Sequence, residues 1–144
     1  MINRDFKKLA PFFCVKLMDA ISECHAHGLR IELFEGFRSE ERQAQLYAQG
    51  RTKEGVIVTK ARPGESWHQY ALASDVVFND GKGWSWSGDW DGVHKIFKLH
   101  GFETLSFERP HVQITGGLSI KKAQEIAKSQ GLLGLWSIVE QNIK

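Results

Sequence analysis

Two histidines and one aspartate, His68, Asp75 and His111, are the residues of this sequence best suited to hold a metal ion. A catalytic zinc site uses three nitrogen or oxygen ligands and leaves a fourth position open, whereas a structural site is more often closed by four ligands. Seven residues separate His68 from Asp75, so on one unbroken strand their side chains would point to opposite faces. We therefore place His68 on the loop before a strand that carries Asp75. The set predicts a catalytic zinc site.

Glu108 is the acidic residue expected nearest to this site. Pro110 lacks a backbone donor and biases Arg109 toward an extended conformation. His111 should therefore open a strand just after a bend, and that bend can bring Glu108 round toward the water held by the metal.

Apolar spacing and capping residues identify the elements that must position these side chains. They predict four helices, which run from Pro11 to before Gly28, from Ser39 to Gly50, from Trp90 to His100 and from Ile120 to Gln130. Alternating or β-branched runs predict strands at 30–35, 56–59, 72–78, 102–105 and 111–114. Gly131 should stop the last helix before an apolar ending at 132–139, which would either dock on the body or form a dimer surface. Helices beside a few sequential strands favour an α+β fold with a small, largely antiparallel sheet.

Length and charge narrow the function classes. The 144 residues predict a single domain spanning residues 1–144, in which 119–144 would be a C-terminal helical extension. A net charge of +2 is too weak for a nucleic-acid binder, which concentrates Lys and Arg on one face. No apolar run approaches the roughly 18 residues that span a bilayer, and the first residues lack the apolar stretch of a secretion signal. We therefore expect synthesis in the cytoplasm and no membrane insertion.

Three motifs follow one another in a recognisable order. They are Gly36-Phe37-Arg38-Ser39 with Gln43 and Leu46, Ser66-x-His68 with Ala73-x-Asp75, and Glu108-x-x-His111. Over roughly residues 9–114 the chain thereby resembles the zinc D-Ala-D-Ala carboxypeptidase and L-alanyl-D-glutamate endopeptidase family, which includes VanY-type enzymes and phage endolysins. The resemblance implies a Hedgehog/D-Ala-D-Ala-peptidase-like fold, with His68, Asp75 and His111 as zinc ligands.

The same resemblance implies further roles. Glu108 would be the general base, and Arg38 the cation near the substrate carbonyl or carboxylate. Ser66 or Gln69 would hydrogen-bond the peptide backbone of the substrate. A purely structural alternative for Arg38 is an ion pair with one of the glutamates that follow it, Glu40 or Glu41.

Two positions depart from the family pattern. Ala71 stands where the second motif usually has glycine, so a positive φ there would strain the loop. The stretch Trp86–Trp90 looks like the endopeptidase branch, whereas a glutamate at Glu108 is typical of the carboxypeptidase branch. The substrate subclass is therefore open between the two. The tryptophans of this region, Trp84 included, would either pack or form a groove wall against substrate.

The leading hypothesis is a zinc peptidase that cuts an amide bond of the peptidoglycan stem peptide, acting as a monomeric phage or prophage endolysin after release to the wall. A holin-type protein would be its partner for that release. A D-Ala-D-Ala carboxypeptidase is the alternative within the family. A glycoside hydrolase using Glu35 and Asp75 as its carboxylate pair, or a non-catalytic zinc-binding or wall-binding module, are the alternatives from other classes.

Overall fold

The computed structural model describes the whole chain, Met1–Lys144, as four α-helices and five short strands. The helices are α1 (Pro11–Ala26), α2 (Glu40–Ala48), α3 (Trp90–Leu99) and α4 (Ile120–Asn142). The strands are β1 (Ile31–Glu35), β2 (Ala73–Asn79), β3 (Trp84–Ser85), β4 (Glu103–Thr104) and β5 (His111–Gln113), with 3₁₀ turns at Phe6–Lys8 and Trp67–Tyr70. None of the helices has the length and apolar character that crossing a membrane requires.

The strands form one antiparallel sheet in the order β1-β2-β5-β4, and β3 pairs with the far end of β2. The predicted α+β fold with a small antiparallel sheet is thereby confirmed. β2 lies in the middle, so Asp75 is opposite Glu35 on one side and opposite His111 on the other. This register brings charged and titratable side chains of three strands to one place.

The core lies between the sheet and the helices. Its largest side chains come from α1, α3 and α4, and they include Phe13, Phe97 and Leu135, all without solvent exposure. Phe102, just before β4, packs edge-on against Phe13 and Phe97 at centroid distances of 5.2 and 5.0 Å. Each such aromatic residue removes a large apolar area from water, which is the main stabilising contribution.

Helix starts follow the expected chemistry. Pro11 occupies the first turn of α1, where its missing N–H costs nothing. Ser39 accepts a hydrogen bond from the backbone N–H of Arg42 at 3.0 Å, and Ser119 does the same for Lys122 at 3.1 Å. The predicted caps of α2 and α4 are confirmed.

The predicted strand at 56–59 is wrong. The segment has no strand conformation, and its apolar side chains Val56, Ile57 and Val58 are largely exposed. β-branched residues favour strands only where a neighbouring strand supplies hydrogen bonds and packing, and no strand pairs with this segment. Conversely, the two-residue strand β3 was not predicted, because it directly follows the turn residues 79–83.

The stop predicted at Gly131 is confirmed, but the helical segment that follows it was not predicted. The φ of 73° and ψ of 178° at Gly131 interrupt the helical backbone in a conformation that glycine adopts without strain, and α4 then resumes and continues to Asn142. Helical periodicity resumes after the kink, so Leu135 and Val139 are buried in the core. The indole Nε1 of Trp136 donates to the carbonyl of Tyr70 at 2.7 Å. The apolar ending therefore docks on the body of the domain.

Candidate metal centre

The 3₁₀ turn Trp67–Tyr70 places His68 just before β2. Ser66 caps this turn: its Oγ accepts from the backbone N–H of His68 at 3.3 Å, and the side chain of Gln69 accepts from the backbone N–H of Ser66 at 3.2 Å. Ala71 ends the turn with a φ of 60° and a ψ of 30°, in the left-handed region. It is the one residue other than glycine with positive φ, so the expected backbone strain is present.

The three predicted ligands meet at the middle of β2. His111 at the start of β5 is the register partner of Asp75, and the loop brings His68 to the same carboxylate. The Oδ1 atom of Asp75 lies 3.5 Å from Nε2 of His68 and 3.5 Å from Nδ1 of His111. One ligand atom from each residue lies within 4.8 Å of the other two, which is close enough for all three to bind a single cation.

Each histidine is held by its other ring nitrogen. Nδ1 of His68 lies 2.8 Å from the carbonyl oxygen of Gly36, which can only accept, so this nitrogen donates. Nε2 of His111 lies 2.7 Å from Oε1 of Gln113. In both rings the nitrogen that faces Asp75 can therefore carry the lone pair that a metal needs. Two neutral imidazoles, one carboxylate and fixed outer partners fit a zinc ion.

The electrostatics keep the Asp75 carboxyl ionised. Burial raises its pKa, but the charges and hydrogen bonds of His68 and His111 outweigh burial and hold the pKa well below its usual range. For His111, burial lowers the pKa, and the hydrogen bond that His111 donates to Asp75 more than compensates, so the net shift is upward. The Asp75 carboxylate is therefore ionised and available as a ligand for a cation.

Arg38 lies directly behind Asp75. Its guanidinium donates to Glu35 and to Gln43, each at 2.9 Å, and reaches Oδ2 of Asp75 at 3.5 Å. The alternative of a pair with Glu40 or Glu41 is wrong, because the buried Glu35 takes that role. The Nε of Arg38 is buried without a hydrogen-bond partner in the protein.

A cleft of about 590 Å³ opens over two of the three ligands, His68 and His111. Its floor contains Arg38, His68 and His111, and Glu108 stands at its edge. Oε2 of Glu108 is 3.7 Å from Nδ1 of His111, and about half of the side chain is exposed. The walls are formed by two segments, one at 57–61 and the other containing Leu105 and Phe107.

The two residues predicted to bind the substrate backbone lie in different places. Ser66 lines the cleft, so it can reach a ligand. Gln69 does not line it, and its amide is bound within the protein: Oε1 accepts from the backbone N–H groups of Gly64 and Ser66, and Nε2 donates to Arg38 and Gln43. The structure thus gives Gln69 a role in holding the loop.

Trp84, Trp86 and Trp90 do not line the cleft, whereas Trp67 does. Trp90 is buried against Phe78 at a centroid distance of 4.7 Å. Trp84 and Trp86 both pack edge-on against Phe34, and each is about half exposed. Of the two predictions for Trp84, Trp86 and Trp90, packing and a groove wall against substrate, these contacts support packing.

Three buried or partly buried polar residues hold the site in a role that was not predicted from the sequence. Glu35, Gln43 and Gln113 each contact a predicted functional side chain. Gln43 belongs to one of the quoted motifs, and Glu35 continues the alternation of β1 on a buried side. Both signals were present in the sequence, but only the fold shows which partner each side chain reaches.

Comparison with known proteins places this arrangement in a family. The model of the VanY family, D-alanyl-D-alanine carboxypeptidase, matches residues 7–116. The peptidoglycan L-alanyl-D-glutamate endopeptidase CwlK of Bacillus subtilis is 42% identical over 97 residues, covering 59% of this chain and 58% of CwlK. The chain therefore spans less than two thirds of this curated relative.

Two solved structures show the same fold. The L,D-carboxypeptidase DacB from Streptococcus pneumoniae superposes with a TM-score of 0.59 at 28% identity, covering 84% of this chain and 72% of DacB. A vancomycin-resistance D,D-pentapeptidase VanY in complex with Zn(II) gives a TM-score of 0.58 at 17% identity, covering 94% and 84%. With the family model matching most of its length, this chain belongs to the VanY family of D-alanyl-D-alanine carboxypeptidases.

Proposed function

We propose that this protein is a zinc-dependent peptidase that hydrolyses an amide bond of the peptidoglycan stem peptide. The observation that carries the proposal is the convergence of His68, Asp75 and His111 at an open cleft that both histidines line, with Glu108 at its edge. Three protein ligands at a cleft floor are typical of catalytic zinc sites, whereas a structural site is usually closed by a fourth. The similarity to CwlK, a peptidoglycan endopeptidase, supports the substrate class.

The residues of the cleft suit this chemistry. Zinc bound there would lower the pKa of a bound water to about 7 and polarise the substrate carbonyl. Glu108 accepts the proton of the attacking water and returns it to the leaving amine, for which its exposed carboxylate is well placed. Arg38 keeps Asp75 oriented, and because its side chain also lines the cleft it places a positive charge near the substrate carbonyl or carboxylate. Ser66 lines the cleft and can bind the peptide backbone.

The L-alanyl-D-glutamate bond is the proposed cleavage site, because CwlK is named as an endopeptidase for that bond and is 42% identical to this chain over 97 residues.

We also propose that residues 1–144 act as one zinc peptidase domain with 119–144 as a C-terminal helical extension. Its role would be that of a monomeric phage or prophage endolysin. It would be made in the cytoplasm and reach the wall with the help of a holin-type protein. The motif resemblance to phage endolysins supports this role.

A D-Ala-D-Ala carboxypeptidase is the second candidate. The family model carries that activity in its description, and glutamate at position 108 is typical of the carboxypeptidase branch. The two candidates differ only in the bond cut, because both use the same ligands and the same base.

The arrangement of the carboxylates argues against a glycoside hydrolase. Glu35 is 2% exposed and is held by both Arg38 at 2.9 Å and Arg42 at 3.3 Å. Asp75 lies between two imidazoles and Arg38. Glycosidases need two carboxyl groups that face the scissile bond from the cleft, and neither Glu35 nor Asp75 lines the cleft.

The test is a fragment analysis of purified peptidoglycan treated with the protein, with the protein after chelation, and with zinc restored. We expect new amino groups that vanish on chelation and return with zinc, and no new reducing sugar ends. Mass spectrometry of the fragments identifies the cleaved bond: a new N-terminal D-glutamate supports the endopeptidase, and released D-alanine supports the carboxypeptidase. Release of sugar ends, or of nothing at all, would contradict the proposal.

A further inference from the structure

Two cationic side chains, Arg38 and Lys60, line the cleft, and they differ in their hydrogen-bond and ion-pair partners within the protein. The terminal nitrogens of Arg38 are bound to Glu35, Gln43 and Asp75. Lys60 is exposed and has no carboxylate within 4.0 Å. The ammonium of Lys60 is therefore the cleft's positive charge that is free to bind an anion.

The backbone that carries Lys60 is fixed in place. The hydroxyl of Thr59 accepts from the N–H of Ala61 at 3.1 Å, which closes a tight turn around Lys60. Gln43, which is completely buried, donates from Nε2 to the carbonyl of Ala61 at 2.7 Å. The same Gln43 accepts from Arg38 at 2.9 Å through its Oε1. One buried amide thus sets the position of the Lys60 turn relative to the residue that contacts Asp75.

The surroundings of Lys60 strengthen an interaction with an anion. The cleft walls include Ile57, Val58, Leu105 and Phe107. A ligand between such apolar side chains displaces water, so a charge pair formed there is screened less than one on an open surface. The anions that line the cleft, Glu65 and Glu108, make no ion pair with Lys60.

We propose that Lys60 is a specificity-determining residue that binds a carboxylate of the substrate peptide, separate from the amide that is cut. This inference rests on the proposed function and specifies its substrate as an acidic peptide. The carboxylate can come from two sources in a stem peptide: the free carboxyl of an internal glutamate, or the C-terminal carboxyl. A lysine ammonium is a compact charge with three donors, and it can bind either one.

The experiment measures peptide binding to zinc-loaded protein in a Glu108→Gln background, where turnover is suppressed. Three peptides of one sequence are compared: one with both carboxylates free, one amidated at the internal glutamate, and one amidated at the C-terminus. Each is titrated against the background protein and against the additional variants Lys60→Met and Lys60→Arg. Lys53→Met is the matched control, because Lys53 is exposed on the same loop but does not line the cleft.

We expect Lys60→Met to weaken binding of the free peptide about tenfold, Lys60→Arg to recover most of that loss, and Lys53→Met to change nothing. The amidated peptide whose affinity no longer depends on Lys60 identifies the carboxylate. Equal binding by Lys60→Met and its parent, or the same loss for all three peptides, would overturn the inference. Absence of hydrolysis by the wild-type protein would instead count against the proposed function, since the binding ratios do not depend on turnover.

Discussion

His111 donates from Nε2 to Oε1 of Gln113 across 2.7 Å, and this contact fixes which ring nitrogen faces Asp75. The orientation of the Gln113 amide is set in turn, because its Nε2 donates to Glu103 at 3.4 Å. Glu103 also accepts from the backbone N–H and the hydroxyl of Thr115, at 2.8 and 2.7 Å. A chain of hydrogen bonds therefore runs from a proposed metal ligand to the edge of the sheet.

Replacing Gln113 by leucine should weaken zinc binding by about 10–100-fold, since outer partners that orient a metal-bound histidine have effects of this size. Competition against a chelator of known affinity measures the change. Gln113→Glu keeps an acceptor for His111 but loses the donor to Glu103, so its loss should be smaller. Gln141→Leu, at an exposed position near the end of α4, is the control and should bind zinc normally. Unchanged zinc affinity in Gln113→Leu would show that the contact does not position His111.

Arg38→Met should lower the free energy of unfolding by about 3 kcal/mol, because removing one partner of a buried ion pair leaves an uncompensated charge. The charge left behind is Glu35, which is 2% exposed. Arg42, whose side chain is 21% exposed, is a weaker partner of the same carboxylate at 3.3 Å, so Arg42→Met should cost less. Urea unfolding of both variants gives the comparison. A larger loss for Arg42→Met would reverse the assigned importance of the two arginines.

Trp136→Phe should destabilise the domain by about 1–2 kcal/mol, since it leaves the Tyr70 carbonyl without its donor while keeping an aromatic ring. The docked end of α4 supports the turn that carries His68. The variant should therefore lose peptidase activity at a lower temperature than the parent protein. Leu133→Ala, whose side chain is 77% exposed, should stay within about 0.5 kcal/mol of the parent. Thermal unfolding of the two variants provides the measurement. Equal stability of Trp136→Phe and the parent would mean that the docking hydrogen bond contributes nothing.

The two thiols should react differently. Burial, with a smaller contribution from Glu23, raises the pKa of Cys24 to about 12, so at pH 8 only about one thiol in ten thousand is the reactive thiolate. Burial and Asp5 also raise the pKa of the partly exposed Cys14. Raising the pH toward 9.5 should therefore accelerate alkylation of Cys14 in the native protein while Cys24 stays unmodified until urea is added. Peptide mass spectrometry locates the label, and native modification of Cys24 at the rate of Cys14 would contradict its burial.

The meeting of His68, Asp75 and His111 was predictable from the sequence. Ligand types and motif order identified the residues, and Pro110 correctly marked the bend before the strand that begins at His111. An antiparallel register between that strand and β2 then brings His111 opposite Asp75. Ala71 has a positive φ, which is the condition under which the sequence predicted strain in this loop.

Features that depend on tertiary partners were not predictable. Residues 56–59 have a composition typical of strands, but no strand of the sheet pairs with them. Residues 57–59 form part of the cleft wall instead. Gly131 interrupts the helix as predicted, but the second helical segment after it, which buries Leu135 and Val139, depends on contacts with the rest of the domain. The role of Gln69 depended on whether its amide found partners inside the loop or in the cleft, which spacing alone does not specify.

Crystals of the zinc-loaded protein, measured at the zinc absorption edge, test the metal centre most directly. The account predicts one strong anomalous peak about 2.0–2.2 Å from Nε2 of His68, from a carboxylate oxygen of Asp75 and from Nδ1 of His111. A peak bound elsewhere on the chain, or these three side chains turned away from a common point, would contradict it.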